Sequence, residues 1–167
     1  MSAKAIAWIV DDDRSIRWVL QKALEAVDIT VKAFESGDLV LEQLKRGTDT
    51  PPDVLVSALG TTWNKAEKSE AGFRAVDQEL VLNTASAAHQ CGVKQIIAVS
   101  SIGADAGSKS FYLRVKGEVE RDLLKIGFDR VDILRPGLLR GERSNDRRLG
   151  ERVGIALSPV ADLFLHG

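Results

Sequence analysis

Five short apolar runs, rich in β-branched residues, alternate with longer stretches whose apolar residues recur at helical spacing. No other feature limits the possible folds of this chain as much. The runs are Ala5–Val10, Ile29–Phe34, Asp53–Ala58, Gln95–Ser100 and Val131–Arg135. Between them, helices are predicted over Arg14–Val27, Ser36–Arg46, Gly72–Cys91 and Phe111–Ile126. Each apolar run is too short to be a buried helix and too continuously apolar for a half-exposed strand. Strands of that kind are buried on both faces, and consecutive ones joined by helices lie parallel. With right-handed crossovers, the expected fold is a three-layer αβα sandwich around a five-stranded parallel sheet of order 2-1-3-4-5, the flavodoxin-like arrangement.

Local signals punctuate this pattern. Ser36 is placed to cap the second helix, which is expected to bury Leu39, Val40 and Leu44. In the first helix, Ile16, Val19, Leu20, Ala23 and Leu24 form one apolar face. Gly47 and Pro51–Pro52 break the chain before the third strand, and Gly127 ends the fourth helix. Thr61–Glu70 reads as a polar loop, Gly137–Leu157 as mostly loop, and Pro159–Leu165 as a short last helix.

The 167 residues suit one α/β domain, and a net charge of -1 argues against nucleic acid as a partner. A single cysteine, Cys91, excludes an intrachain disulfide and reads as a small apolar residue late in a helix. The N-terminus lacks a signal-peptide layout, and no apolar run approaches a membrane span, so a cytoplasmic protein without membrane contact is expected. Trp8, Trp18 and Trp63 are too scattered for a stacking platform and are expected to pack in the core or loops. His89 is expected to face solvent, His166 to fray, and Arg140–Arg148 to form a solvated mixed-charge loop.

The segment AIAWIVDDDRSIRWVLQKALEAVDITVKAFESGDLVLEQL, followed by PPDVLVS, resembles the start of an NtrC-type response-regulator receiver over about residues 4–57. That resemblance implies a weak Mg²⁺ site at Asp11 and Asp12. It also implies an aspartyl phosphoacceptor at position 58, where this chain has Ala58 and so no nucleophilic oxygen. Read without the resemblance, Asp11–Asp13 would cap the first helix and favour its dipole.

From Asp53 to about Leu157 the chain is similar to an atypical, extended-type short-chain dehydrogenase/reductase with a Rossmann fold. The resemblance rests on Val99-Ser100-Ser101-Ile102-Gly103-Ala104, on Tyr112-x-x-x-Lys116 and on Leu134-Arg135-Pro136-Gly137. It implies catalytic roles for Ser100 or Ser101, Tyr112 and Lys116, and a cofactor contact at Arg135 and Pro136. One helical turn sets Tyr112 and Lys116 on one face. The Gly-rich turn that such enzymes place after their first strand is missing, and Asp11–Ser15 stands there instead. No cofactor is therefore expected beyond weak binding of NADP or Mg²⁺, and the dehydrogenase residues are expected to be vestigial.

Two resemblances that change over near residues 54–60 suggest an engineered chimera of a receiver and a dehydrogenase, with folding as its property of interest. Two rival readings are a residual NAD(P)-linked reductase and a phosphorylation-independent receiver-like module binding through its fourth-helix face. No specific partner is expected, and the chain is expected to be a monomer or weak homodimer.

Overall fold

The computed structural model of the chain describes residues 4–47, 50–61 and 66–136. In chain order the elements are β1 (Ile6–Val10), α1 (Arg14–Glu25), β2 (Thr30–Phe34), α2 (Gly37–Arg46) and β3 (Val54–Ser57). A helical run follows in three parts: α3 (Glu70–Arg74), a π segment (Ala75–Leu80) and α4 (Val81–Gln90). Then come β4 (Gln95–Val99), α5 (Phe111–Leu123) and β5 (Arg130–Leu134). All strands are parallel, in the order β2-β1-β3-β4-β5. This is the expected α/β sheet, five parallel strands in the order 2-1-3-4-5.

Strand periodicity divides the core between two faces. Trp8 and Val10 of β1, Leu55 of β3, and Ile96 and Ala98 of β4 point to one side. There they meet Val40 and Leu44 of α2, Val81, Ala85 and Ala88 of α4, and Val119 and Leu123 of α5. Ala7, Ile9, Val54, Val56 and Ile97 point to the other side, against Leu20 and Leu24 of α1. The central strands β1 and β3 are thus sealed on both faces, and this is why their sequences are apolar without alternation. The Ala7↔Val54 through Val10↔Ser57 register aligns their C-terminal ends, where the loops of the candidate site begin.

Several elements end earlier than the sequence pattern predicts. α1 and α5 stop at Glu25 and Leu123, because the next turns tighten to i→i−3 bonds such as Val27 N–H to Leu24 C=O and Ile126 N–H to Leu123 C=O. The predicted regular helix over Gly72–Cys91 begins at Glu70 and holds the π segment in its middle. Ser36 Oγ accepts the Leu39 N–H and caps α2, but Leu39 itself is exposed rather than buried. Trp8 is core, tilted against Phe34, whereas Trp18 is 61% exposed, contrary to expectation. Cys91 is an exposed C-cap and not an interior residue. His89 is half-buried edge-on to Phe128 instead of facing solvent. Trp63, His166, Arg140–Arg148, the predicted loop 137–157 and the predicted helix over residues 159–165 lie outside the described residues. Among the described residues no helix is long and apolar enough to cross a membrane.

One glycine fixes the loop that leads from β4 into α5. A Cβ at Gly117 would sit 2.2 Å from Ala106 N and 2.3 Å from Asp105 C, so the helix accepts this backbone crossing at hydrogen alone. Gly117→Ala is therefore expected to destabilise the fold by about 1–3 kcal/mol, overpacking outweighing alanine's better helix propensity. Gly107→Ala, which meets only the Asp105 carboxylate at 3.6 Å or more, serves as the control in urea unfolding. Equal midpoints for the two variants would refute the close-approach argument.

Candidate functional site

The connection from β1 goes outward to β2 and the next returns across β1 to β3, which opens a crevice at the C-terminal ends of β1 and β3. Open α/β sheets bind ligands at such a point. The chain places Asp11 after β1, Ala58 after β3, Ser100 after β4 and Arg135 after β5.

At the β1 end, the three aspartates have separate fates. Asp13 is the N-cap of α1, its Oδ1 accepting the N–H groups of Ser15 at 2.7 Å and Ile16 at 3.2 Å. Asp11 is buried; its Oδ1 accepts the Asp13 N–H at 2.6 Å, and its backbone carbonyl accepts from Arg17 Nη1 at 2.8 Å. Burial pushes the Asp11 carboxyl up to about 7, with repulsion from Asp12 and Asp13 adding to it. The Asp13 N–H bond and the Arg17 charge work in the opposite direction. Asp12 remains exposed. Among the described residues, no three His, Cys, Asp or Glu side chains are grouped to hold a metal. The donors that Asp11 and Asp12 would offer to Mg²⁺ are thus a buried, hard-to-ionise carboxyl and a solvated one, and β3 is followed by Ala58.

On the α5 side, Tyr112 and Lys116 share a face as their spacing predicts, with Nζ 5.9 Å from the tyrosine ring centre. Lys116 is also paired with a carboxylate. Its Nζ lies 2.6 Å from Asp77 Oδ1, and the two side chains are only 9% and 1% exposed. Asp77 Oδ2 accepts the N–H of Thr61 at 2.7 Å. Tyr112 is 41% exposed and stands edge-on to Phe73. Ser100 directs a buried Oγ into a cavity of about 10 Å³ that Lys116, Asp77, Ser57 and Glu120 also line. That volume is about one water site. Ser101 lies on the following loop, where its carbonyl accepts the Ala104 N–H. Arg135 forks onto Glu120 through Nε at 2.9 Å and through Nη2, so its guanidinium is engaged within the chain. Pro136 is half-buried beside it, and Gly137 lies outside the described residues.

The structure therefore brings Ser100 and Lys116 to one cavity, leaves Tyr112 at its surface, and keeps Asp11 and Asp12 at a separate strand end. Asp77 and Glu120 were missed in the sequence. Asp77 sits on an otherwise apolar helix stripe, four residues from Phe73 and from Val81, and a buried carboxylate there demands a cation. That was the legible signal.

A dinucleotide does not fit these residues. The N–H groups at the start of α1 that would receive a pyrophosphate already hold the Asp13 carboxylate. No glycine lies between Val10 and Arg14 to let a phosphate approach the backbone, and Lys116 is already neutralised by Asp77.

The family model described as HIM1 matches residues 18–158. The protein FMP52, mitochondrial, of Candida albicans is 45% identical over 101 residues, covering 60% of this chain and 44% of that protein. Its counterpart in Aspergillus niger is 43% identical over 128 residues, covering 76% of this chain and 54% of the relative. The chain spans about half the length of the curated relatives it matches. Among solved structures, a dTDP-4-dehydrorhamnose reductase from Bacillus anthracis in complex with NADP superposes with a TM-score of 0.71 at 15% identity. That match covers 100% of this chain and 74% of the reductase. A short-chain dehydrogenase/reductase superfamily protein from Agrobacterium tumefaciens with bound NAD gives 0.61 at 17% identity, covering 95% and 61%. At such identities the structural likeness shows the fold alone.

These matches correct three expectations. One family model begins inside the receiver-like segment and runs through residues 54–60 without a break, so the chain is not an engineered chimera of two parents. The receiver resemblance of residues 4–57 is accordingly set aside, and with it the phosphoacceptor frame at Ala58. A cytoplasmic location is contradicted as well, since the relatives are named mitochondrial proteins.

Two measurements test the electrostatics. The folded-state pKa of Asp11 is raised from 3.8 to about 7, so between those values the folded chain keeps a proton that the unfolded chain has released. Stability from this group is therefore present at low pH and is lost as pH rises toward 7, by at most about 4 kcal/mol. Asp11→Asn is expected to remove that slope and to stabilise the protein at pH 8, and parallel urea curves for the two proteins from pH 5 to 8 would refute it. Lys116→Met is expected to cost about 3–5 kcal/mol by stranding the Asp77 charge, while Tyr112→Phe stays within about 0.5 kcal/mol. Equal losses in thermal unfolding would show that the pair is not the structural member.

Proposed function

The chain belongs to the HIM1 family, and from that membership and its self-occupied site we propose that it is a Rossmann-type binding scaffold of mitochondria. On this reading it does not work by transferring hydride to or from a dinucleotide. The observation that carries the proposal is the Asp13 cap: the Ser15 and Ile16 N–H groups, which a pyrophosphate would need, are held by a carboxylate of the chain. Displacing that carboxylate would remove the cap of α1 and still leave Asp11 and Asp12 beside the phosphates. Among the described residues, two cationic groups near the strand ends are also engaged, Lys116 with Asp77 and Arg135 with Glu120. The mitochondrial part of the proposal rests on the names of the fungal relatives.

Titration of the whole chain with NADPH and with NADH by calorimetry tests the first part. No saturable heat is expected, and a Kd below ~100 µM, equivalent to more than about 5 kcal/mol of binding, would overturn the scaffold reading. A tagged copy expressed in yeast is expected to fractionate with mitochondria, and a purely cytosolic distribution would overturn the location.

A further inference from the structure

Lys116 is enclosed by a piece of loop as well as by its ion-pair partner. Leu59, just after β3, is buried in the larger core cluster, and two residues later the Thr61 N–H reaches Asp77 Oδ2 at 2.7 Å. Gly60, between them, passes directly over the ion pair: a Cβ there would lie 3.5 Å from Asp77 Oδ1 and 3.6 Å from Lys116 Nζ. Asp77 thus holds Lys116 with one carboxylate oxygen and the loop with the other. We propose that Leu59–Thr61 is a strap, latched by Asp77 over Lys116, which opens locally to expose the ammonium while the sheet stays folded.

Leu59 anchors the strap in the core, and three features mark the stretch beyond it as a movable closure. Gly60 sits between the two anchors and imposes no side-chain restriction on backbone rotation there. The latch residue is carried by the π segment, a helical register that holds one residue more per turn and often marks working sites. The helical run bearing the latch is entered through Glu67 and Lys68, two consecutive residues with left-handed φ of 55° and 54°. Side chains disfavour that conformation, so the approach to the latch is under backbone strain. Beneath the strap lies a small cavity that Ser57, Ser100 and Glu120 share with the apolar Val81, Val119 and Leu123, so opening uncovers polar and apolar groups alike, but only those around three residues of loop. A motion that exposes little new surface depends weakly on denaturant, whereas unfolding of the sheet depends on it steeply.

The test is lysine modification of the whole native chain by a water-soluble amine-reactive ester, read residue by residue by mass spectrometry across urea concentrations below the unfolding transition. Lys116 is expected to react at least ~10-fold more slowly than the exposed Lys22 and Lys125, at a rate flat in urea. In Asp77→Asn, which removes the charge but keeps an acceptor for Thr61, the rate is expected to rise while remaining flat. A rate for wild-type Lys116 that climbs with the slope of global unfolding would overturn the strap, whether or not the variant folds. This readout involves no nucleotide, so failure of the strap and failure of the scaffold reading are distinguishable.

Discussion

The buried contact between Asp77 and Lys116 is the interaction on which the upper half of the structure depends. It joins the π segment to α5, and through Asp77 Oδ2 it joins both to the loop that leaves β3. A pair this deep costs much of its Coulomb attraction in lost hydration, so its contribution to net stability is small compared with the cost of breaking it. Its effect is specificity: only one rotation of the helical run offers Asp77 to Lys116. The π segment carries that carboxylate. Asp77 lies in that segment, four residues from each of the buried Phe73 and Val81.

The same pattern recurs around the sheet ends. Among the described residues, three donor groups near the strand ends are met by carboxylates of the chain: the start of α1 by Asp13, Lys116 by Asp77, Arg135 by Glu120. In a site built for a ligand, such groups are held in place by neighbours yet left with spare hydrogen-bonding capacity. Here the neighbours have taken that capacity. Asp11 shows what the crowding costs, because desolvation and two adjacent aspartates hold its carboxyl up to about 7.

How much of this was legible depends on the range of each interaction. The sheet order, the Ser36 cap and the shared face of Tyr112 and Lys116 follow from spacings of a few residues, and the structure has them. The Asp77–Lys116 and Glu120–Arg135 contacts join different elements; the apolar stripe around Asp77 signals that it needs a cation, but no local pattern names the partner. The π segment is equally hidden, since Ala75–Leu80 reads as ordinary helix. The chimera reading failed for a related reason. Short apolar strands ending in a polar residue, such as Val54–Ser57, occur wherever a parallel sheet has a central strand. Local likeness to two families was therefore weaker testimony than one family match running across the join.

A sheet of this kind tolerates loss of its ligand chemistry because fold and site draw on different residues. The strands are held by side chains that point to the two faces, and none of Asp11, Ser100 or Arg135 belongs to either cluster. Loop residues at the strand ends can therefore exchange an outside anion for an inside one without disturbing the register of β1 and β3. The exchange has a consequence for the fold itself. On the scaffold reading proposed above, Asp77 stands in for an outside anion at Lys116, and its second oxygen ties the β3 loop down. Fold likeness to NAD- and NADP-bound proteins then speaks of the scaffold, while the chemistry has to be argued from the carboxylates that fill it.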